Sequence, residues 1–274
     1  MTKYDNTSTD NDSKPFYIFR KSRIKRTIDQ GKVATTLKCN TVDTKIAEIF
    51  ALAQPDGIWL DMEHGSSDFN QAENQSNAAK IYDVDTLLRV NRGSYSNYIR
   101  GFEVDCTGLI IPQIKSLYDA KEIEEFTKFP PIGKRGIDGG NNDGKYTKLD
   151  MLDYVKLANQ ERLVIYQIET PEVINDVEAI AEMDGVDGLF FGPGDYSLSL
   201  GVPGQMDHPD VVNARKKVAE VARKNNKIAA TPGGPGVAKN YIDMGYNLLN
   251  IGADVIALSD YAENLVSQFE EINS

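Results

Sequence analysis

Leu163-Val-Ile-Tyr-Gln-Ile-Glu-Thr-Pro-Glu-Val-Ile-Asn-Asp-Val-Glu-Ala-Ile-Ala-Glu-Met-Asp-Gly-Val-Asp-Gly-Leu-Phe-Phe191 contains three patterns in succession. Leu163–Ile168 is a short run of β-branched, aromatic and aliphatic residues, as expected of a buried strand. Thr170 as N-cap and Pro171 at the first helical position open a helix over Pro171–Met183, with Val173, Val177, Ile180 and Ala181 on one face. Gly188–Phe191 is a second buried run. The stretch predicts one strand–helix–strand unit.

Working outward, the same alternation recurs. Strands are predicted at Val33–Leu37, Ile58–Asp61, Thr86–Val90, Gly108–Pro112, Ile228–Thr231 and Leu248–Gly252. Helices are predicted at Asp43–Leu52 (Asp43 as N-cap; Ile46, Ile49 and Phe50 inward), Val211–Lys224, Val237–Met244 and Asp254–Ile272. Eight strands alternating with helices over about 240 residues fit a (β/α)8 TIM barrel, typically ~250 residues long. A doubly wound sheet would want a glycine-rich turn after its first strand, and Leu37-Lys38-Cys39-Asn40 is not one. No Pro/Gly/Ser-rich linker divides the chain, so residues 15–274 read as a single domain. Residues 1–14 are polar, lack periodicity and read as a disordered tail. Arg20–Lys32 reads as a basic, solvated first helix. Pro130–Lys148, between strands four and five, is long enough to be a functional loop.

Composition narrows the function. The chain has 274 residues, 41% hydrophobic and 26% charged, with a formal net charge of −11. No apolar run approaches the roughly 20 residues that span a bilayer, and no secretory leader opens the chain. A cytoplasmic protein is expected. Acidity without a Lys/Arg stripe speaks against nucleic acid and anionic lipid. Cys39 and Cys106 are too few for a disulfide framework.

In a barrel the residues just past each strand converge on one face, where sites are built. Those positions hold Glu63 and His64, Arg89, Gln113, Gln167 and Glu169, and Gly194-Asp195. Glu169 and Asp195 suit a hard divalent ion, Mg²⁺ or Mn²⁺, with Co²⁺ also compatible; equally, they suit a helix cap and a turn cap. His64 is a natural general base at neutral pH, with Glu63 beside it and Asp61 three residues back; a satisfied, partly buried histidine is the plainer account. Arg89 offers a planar fork to a carboxylate or enolate, or an ion pair to Glu63. His208, before a proline at a helix start, reads as structural. Gly139-Gly140 and Thr231-Pro-Gly-Gly-Pro-Gly236 match no phosphate-binding pattern. A Schiff-base enzyme would need a lysine inside a strand pattern; Lys115 and Lys227 are the nearest, and neither is.

Four segments together resemble the HpcH/HpaI aldolase family: Asp61-Met-Glu-His64, Pro131-Ile-Gly-Lys-Arg-Gly136, Gln167-Ile-Glu-Thr170 and Gly185-Val-Asp-Gly-Leu-Phe-Phe-Gly-Pro-Gly-Asp-Tyr-Ser197. The likeness runs from about Gly31 to the C-terminus. It implies a metal-dependent class II aldolase that reversibly cleaves a 4-hydroxy-2-oxo acid or 2-keto-3-deoxy sugar acid to pyruvate and an aldehyde. By resemblance, Glu169 and Asp195 are the metal ligands, His64 the base, Asp61 its orienting acid, and Arg89 the contact to the keto or enolate oxygen. Gln167, Gly192, Pro193, Gly194 and Arg135 would bind substrate. Glu103 would serve a neighbouring subunit, one methylene longer than the aspartate expected there. The family's barrels pack as hexamers with the last helix exchanged. The loop Gly136-Ile-Asp-Gly-Gly-Asn-Asn-Asp-Gly144 and the Thr231–Gly236 stretch depart from the family pattern around the aldehyde end, which leaves the aldehyde partner open. Two rivals remain at this point: a related barrel enzyme acting on acyl-coenzyme A esters, and a barrel without catalysis.

Overall fold

Strands that are apolar on both faces must be covered on both sides, and a closed parallel barrel wrapped in helices does this. The computed structural model describes residues 19–273, so the predicted tail lies outside the described residues. The strands are β1 Ala34–Cys39, β2 Gly57–Asp61, β3 Asp85–Arg89, β4 Gly108–Ile111, β5 Leu163–Ile168, β6 Gly188–Phe191, β7 Ile228–Pro232 and β8 Leu248–Ala253. They close in sequential order, all parallel, with β1 pairing β8. The helices are α1 Arg23–Asp29, α2 Thr44–Leu52, α3 Phe69–Ile81, α4 Tyr95–Glu103, α5 Leu117–Thr127, α6 Met151–Glu161, α7 Val177–Ala181, α8 Pro193–Ser199, α9 Pro209–Lys224, α10 Pro235–Asp243 and α11 Asp254–Asn273. Among the described residues no helix is long and apolar enough to cross a membrane.

The period-2 alternation of each strand sorts its residues. Outward positions such as Leu60, Leu88, Leu109, Val164 and Leu189 pack under the helices. Inward positions Ala34, Trp59, Leu87, Ile110, Ile165, Phe190 and Leu248 fill the barrel's axis. Further along the same inward rows the residues turn polar: Lys38, Asp61, Arg89 and Gln167 follow toward the C-terminal rim. Apart from Asp85 at the base of β3, the axis is thus apolar below and charged above.

Four expectations are corrected. The first helix is not merely solvated. Ile24 is fully buried in the axial cluster, and Asp85 holds α1 in place by accepting from Ser22 Oγ (2.7 Å), the Ile24 N–H (2.9 Å) and Arg20 Nη2 (2.7 Å). In α2, Asp43 caps as expected, but Ala47 and Ala51 are the buried residues and Ile49 is exposed. The helix predicted over Pro171–Met183 is a 3₁₀ turn, Val173–Asn175, followed by α7. Asp176 interrupts it by turning its carboxylate to the Leu117 N–H (2.8 Å) at the start of α5. The first strand runs on to Cys39, two residues past its predicted end.

The last helix leaves the barrel. Asp254 pins its start by accepting from the Asn40 and Thr41 N–H groups (both 2.9 Å) and from Thr41 Oγ1 (2.6 Å). Beyond Asp254 every described residue of α11 is exposed, including Ile256, Tyr261, Leu265, Val266 and Phe269.

Candidate active site

Register places Asp61 directly opposite Arg89. The guanidinium forks onto the carboxylate, Nε to Oδ1 at 2.9 Å and Nη2 to Oδ2 at 2.5 Å. Lys38 Nζ reaches the same Oδ2 at 2.8 Å. Both cations lie over the Trp59 ring, at 4.7 and 4.9 Å from its centroid. Burial drives the Asp61 carboxyl upward, but Arg89 and Lys38 together hold it below the ordinary range. Arg89 Nη1 also faces Glu63 Oε2 at 3.0 Å, and the same oxygen is 3.8 Å from His64 Nε2. Burial raises the Glu63 carboxyl, Arg89 and His64 oppose that, and Asp61 and Asp195 add to it. The His64 side chain is 66% exposed and stands at the mouth of the cleft.

Across the barrel, Glu169 is fully buried just past β5. Its Oε1 accepts from the Gln113 N–H (2.6 Å) and from Gln113 Nε2 (3.0 Å), and its Oε2 accepts from Gln167 Nε2. Gly192 is required here by close approach: a Cβ would lie 2.9 Å from Glu169 Oε2. Burial pushes the Glu169 carboxyl up to about 7; the Gln113 N–H opposes this, Asp195 and Glu63 add to it, and Gln167 opposes it. Asp195 sits in the first turn of α8, whose N-cap Gly192 gives no side-chain cap. Neither Glu169 nor Asp195 has a Lys or Arg partner among the described residues.

A carboxyl raised by burial and by two neighbouring acids, and lacking a cation, fits a dication bound beside it. The donor set is all oxygen, which suits a hard ion such as Mg²⁺ or Mn²⁺. The buried Gln167 Oε1, without a hydrogen-bond partner, is a further acceptor at the same place. The described residues hold no group of three or more His, Cys, Asp and Glu arranged as a metal cage.

Residues 37–259 match the family described as HpcH/HpaI aldolase/citrate lyase. The chain belongs to that family. It is similar to a pyruvate aldolase of Rhizobium etli, 31% identical over 90% of this chain and 97% of that protein. A 2-keto-3-deoxy-L-rhamnonate aldolase of Klebsiella pneumoniae is 27% identical over 90% and 92%. A solved HpcH/HpaI aldolase from Desulfitobacterium hafniense superposes with a TM-score of 0.83 at 26% identity, over 90% of this chain and 96% of that one. The protein is an aldolase, a carbon–carbon lyase.

The cleft of this HpcH/HpaI family member gathers His64, Arg89, Asp61, Gln167, Glu169 and the Gly192-Pro193-Gly194-Asp195 turn at the C-terminal rim. Asp61 does not orient the His64 ring. Its Oδ1 instead accepts the backbone N–H of Glu63 (3.1 Å) and of His64 (3.3 Å), shaping the turn, and Glu63 is the acid beside the imidazole. Arg135, expected among the substrate contacts, is committed elsewhere. It is buried over Phe102 and Phe129 and pairs with Asp143 at 2.9 Å. Asp143 also pairs with Arg162, immediately before β5 and so toward the opposite rim. Glu103 lies at the end of α4, outside its own chain's cleft, in a shallow groove with Phe69, Arg100 and Tyr146. Sequence reasoning missed Lys38 and gave Gln113 no role. Only the inward row Ala34, Thr36, Lys38 could have signalled the former.

Proposed function

We propose that the protein reversibly cleaves a 4-hydroxy-2-oxo acid, or a 2-keto-3-deoxy sugar acid, to pyruvate and an aldehyde, using a divalent ion held by Glu169 and Asp195. The observation that carries this is the Glu169 carboxyl, raised by burial and further by Asp195 and Glu63 and without a cation of its own, on the same rim as Arg89 and His64. Mg²⁺ or Mn²⁺, with Co²⁺ a compatible substitute, would supply Lewis acidity toward the enolate oxygen, worth several kcal/mol.

The residues divide the remaining work. In the first turn of α8 the Gly192 N–H is taken by the Ile168 carbonyl and Pro193 has none, so the Gly194 and Asp195 N–H groups are the ones this uncapped turn offers to the substrate carboxylate. Arg89, fixed by Asp61 and Glu63, presents guanidinium N–H bonds to the oxygen on which charge develops, on the order of 3 kcal/mol for such a preorganised donor. His64, with Glu63 beside it, takes the proton of the 4-hydroxyl. The C3–C4 bond then breaks, its electron pair passes to the enolate, and the aldehyde leaves. Protonation at C3 completes pyruvate. Gln167 holds Glu169 Oε2 in place.

The exposed apolar length of α11 supports burial against further copies of the chain, as a homo-oligomer and by resemblance a hexamer; Glu103 would then face a neighbour's cleft. The location proposed is the cytoplasm, with a small oxo acid and an aldehyde as the only partners besides copies of the chain, and neither nucleic acid nor membrane.

The test is a metal-replete retro-aldol screen over 4-hydroxy-2-oxo acids of different length and charge, reading pyruvate. Chelation is expected to abolish turnover while the far-ultraviolet circular dichroism stays unchanged. Full-rate pyruvate release after chelation would overturn the reading.

A further inference from the structure

Gln113 follows β4 with φ +54°, the left-handed region that non-glycine residues enter at a steric cost. A glycine would take this conformation freely and would offer the same backbone N–H. What only the glutamine adds is its side-chain amide, and that amide donates to Glu169 Oε1 at 3.0 Å, the oxygen that already accepts the Gln113 N–H at 2.6 Å. The turn is braced from behind. The Gln113 carbonyl accepts from Arg92 Nη1 at 2.7 Å, and Arg92 is itself clamped by both oxygens of Asp119, each at 2.5 Å. Asp119 also accepts the Lys115 N–H at 2.9 Å, which closes the far side of the turn.

A carboxylate oxygen has two in-plane acceptor directions. Both are taken at Oε1 by Gln113. At Oε2 one is taken by Gln167, and the lack of a Cβ at Gly192, which would stand 2.9 Å from that oxygen, keeps a side chain from blocking the other. Glu169 is therefore left with a single oxygen direction free.

We infer that Gln113 is a positioning residue that restricts Glu169 to one ligating oxygen, and so favours a small octahedral dication over Ca²⁺. This rests on the reading of Glu169 as a metal ligand. Mg²⁺ takes single carboxylate oxygens in a tight octahedron, whereas Ca²⁺ fills a larger shell with the help of bidentate carboxylates. Freeing the second direction on Oε1 opens the bidentate mode.

The experiment uses full-length Q113G, which keeps the backbone conformation, the N–H and the Arg92 contact and removes the side chain with its amide. Free Mn²⁺ is followed by electron paramagnetic resonance, with Mg²⁺ and Ca²⁺ as competitors, and metal-free thermal midpoints are recorded alongside. The ratio of Ca²⁺ to Mg²⁺ affinity is expected to rise about tenfold, the usual size of effect when a hydrogen-bond partner of a metal ligand is removed. The thermal midpoint is expected not to fall, since glycine adopts a positive φ without strain. Mn²⁺ binding by both proteins with an unchanged ratio would overturn the role of Gln113 and leave the metal reading standing. No Mn²⁺ binding by the wild-type protein would overturn both.

Discussion

Glu169 is a carboxyl that folding makes harder to ionise, and that has a measurable consequence. Its pKa rises from 4.5 to about 7, so between those values the metal-free folded protein keeps a proton that the unfolded chain has released. Where the folded state binds more protons, stability falls as pH rises. Urea midpoints of the metal-free protein are therefore expected to decline from pH 5 to pH 7.5 more steeply than those of Glu169→Gln, which cannot titrate; equal slopes would contradict the assignment. The same substitution removes the charge that would hold the ion and is expected to weaken Mn²⁺ binding at least 100-fold, taking turnover with it. At the mouth of the cleft, His64→Asn is expected to lower kcat by about 10²–10⁴-fold and leave Mn²⁺ affinity unchanged, as measured by steady-state kinetics beside metal titration. With its side chain 66% exposed, His64 can be replaced at a stability change within about 0.5 kcal/mol. At this scale the ends of β5 and β6 were readable, because they fall where the apolar runs do and Glu169 and Asp195 follow them. Gln113 was not readable: a glutamine gives no sign of a left-handed backbone. Nor was Lys38, because ending the strand at Leu37 left it outside the pattern.

Among the connecting elements, the segment from Gly136 to Lys148 is held by a buried charge network. Asp143 is fully buried and accepts from Arg162 Nε (2.7 Å), Arg135 Nη2 (2.9 Å) and Tyr154 Oη (2.7 Å). Asp105 joins it through Arg162, Lys80 and Lys145. Burial raises the Asp143 carboxyl, yet Arg162 and Arg135 hold it below the ordinary range. Asp143→Ala would leave two buried guanidinium groups without their shared acid, a loss of about 3–5 kcal/mol by analogy with other broken buried pairs. Urea unfolding measures it, and a change under 1 kcal/mol would show that the network does not anchor the segment. The sequence indicated a long loop with a role, but Arg135 was assigned to substrate because its acid partner stands eight residues on in a glycine-rich stretch without periodicity. The helix predicted at Pro171–Met183 failed for a comparable reason, since the Asp176 bond to Leu117 joins positions remote in the chain.

Seen as a whole molecule, large apolar side chains stay exposed at scattered positions such as Ile49, Leu52 and Ile81, and they concentrate along α11. Ile256, Tyr261, Leu265, Val266 and Phe269 all remain exposed in the isolated chain, more apolar side-chain surface than a monomer commonly leaves on one element. Deleting residues 255–274 is expected to convert an oligomer of the full-length chain into monomers or aggregates, read by light scattering after size-exclusion chromatography. A truncated protein of unchanged assembly would show that α11 is not the interface.

What the sequence determined by itself is the order of strands and helices, the closure of eight strands, and the acids, imidazole and guanidinium that gather at one rim. These depend on local periodicity and on chain topology, both of which are written residue by residue. What only the tertiary structure decided is which charge answers which: Asp61 to Arg89 and Lys38 rather than to the His64 ring, Arg135 to Asp143 rather than to substrate, and Gln113 to Glu169 through a left-handed turn. Such pairings depend on register, rotamer and backbone angle to within an ångström, and those are set by packing between segments far apart in the chain, not by the identity of either residue.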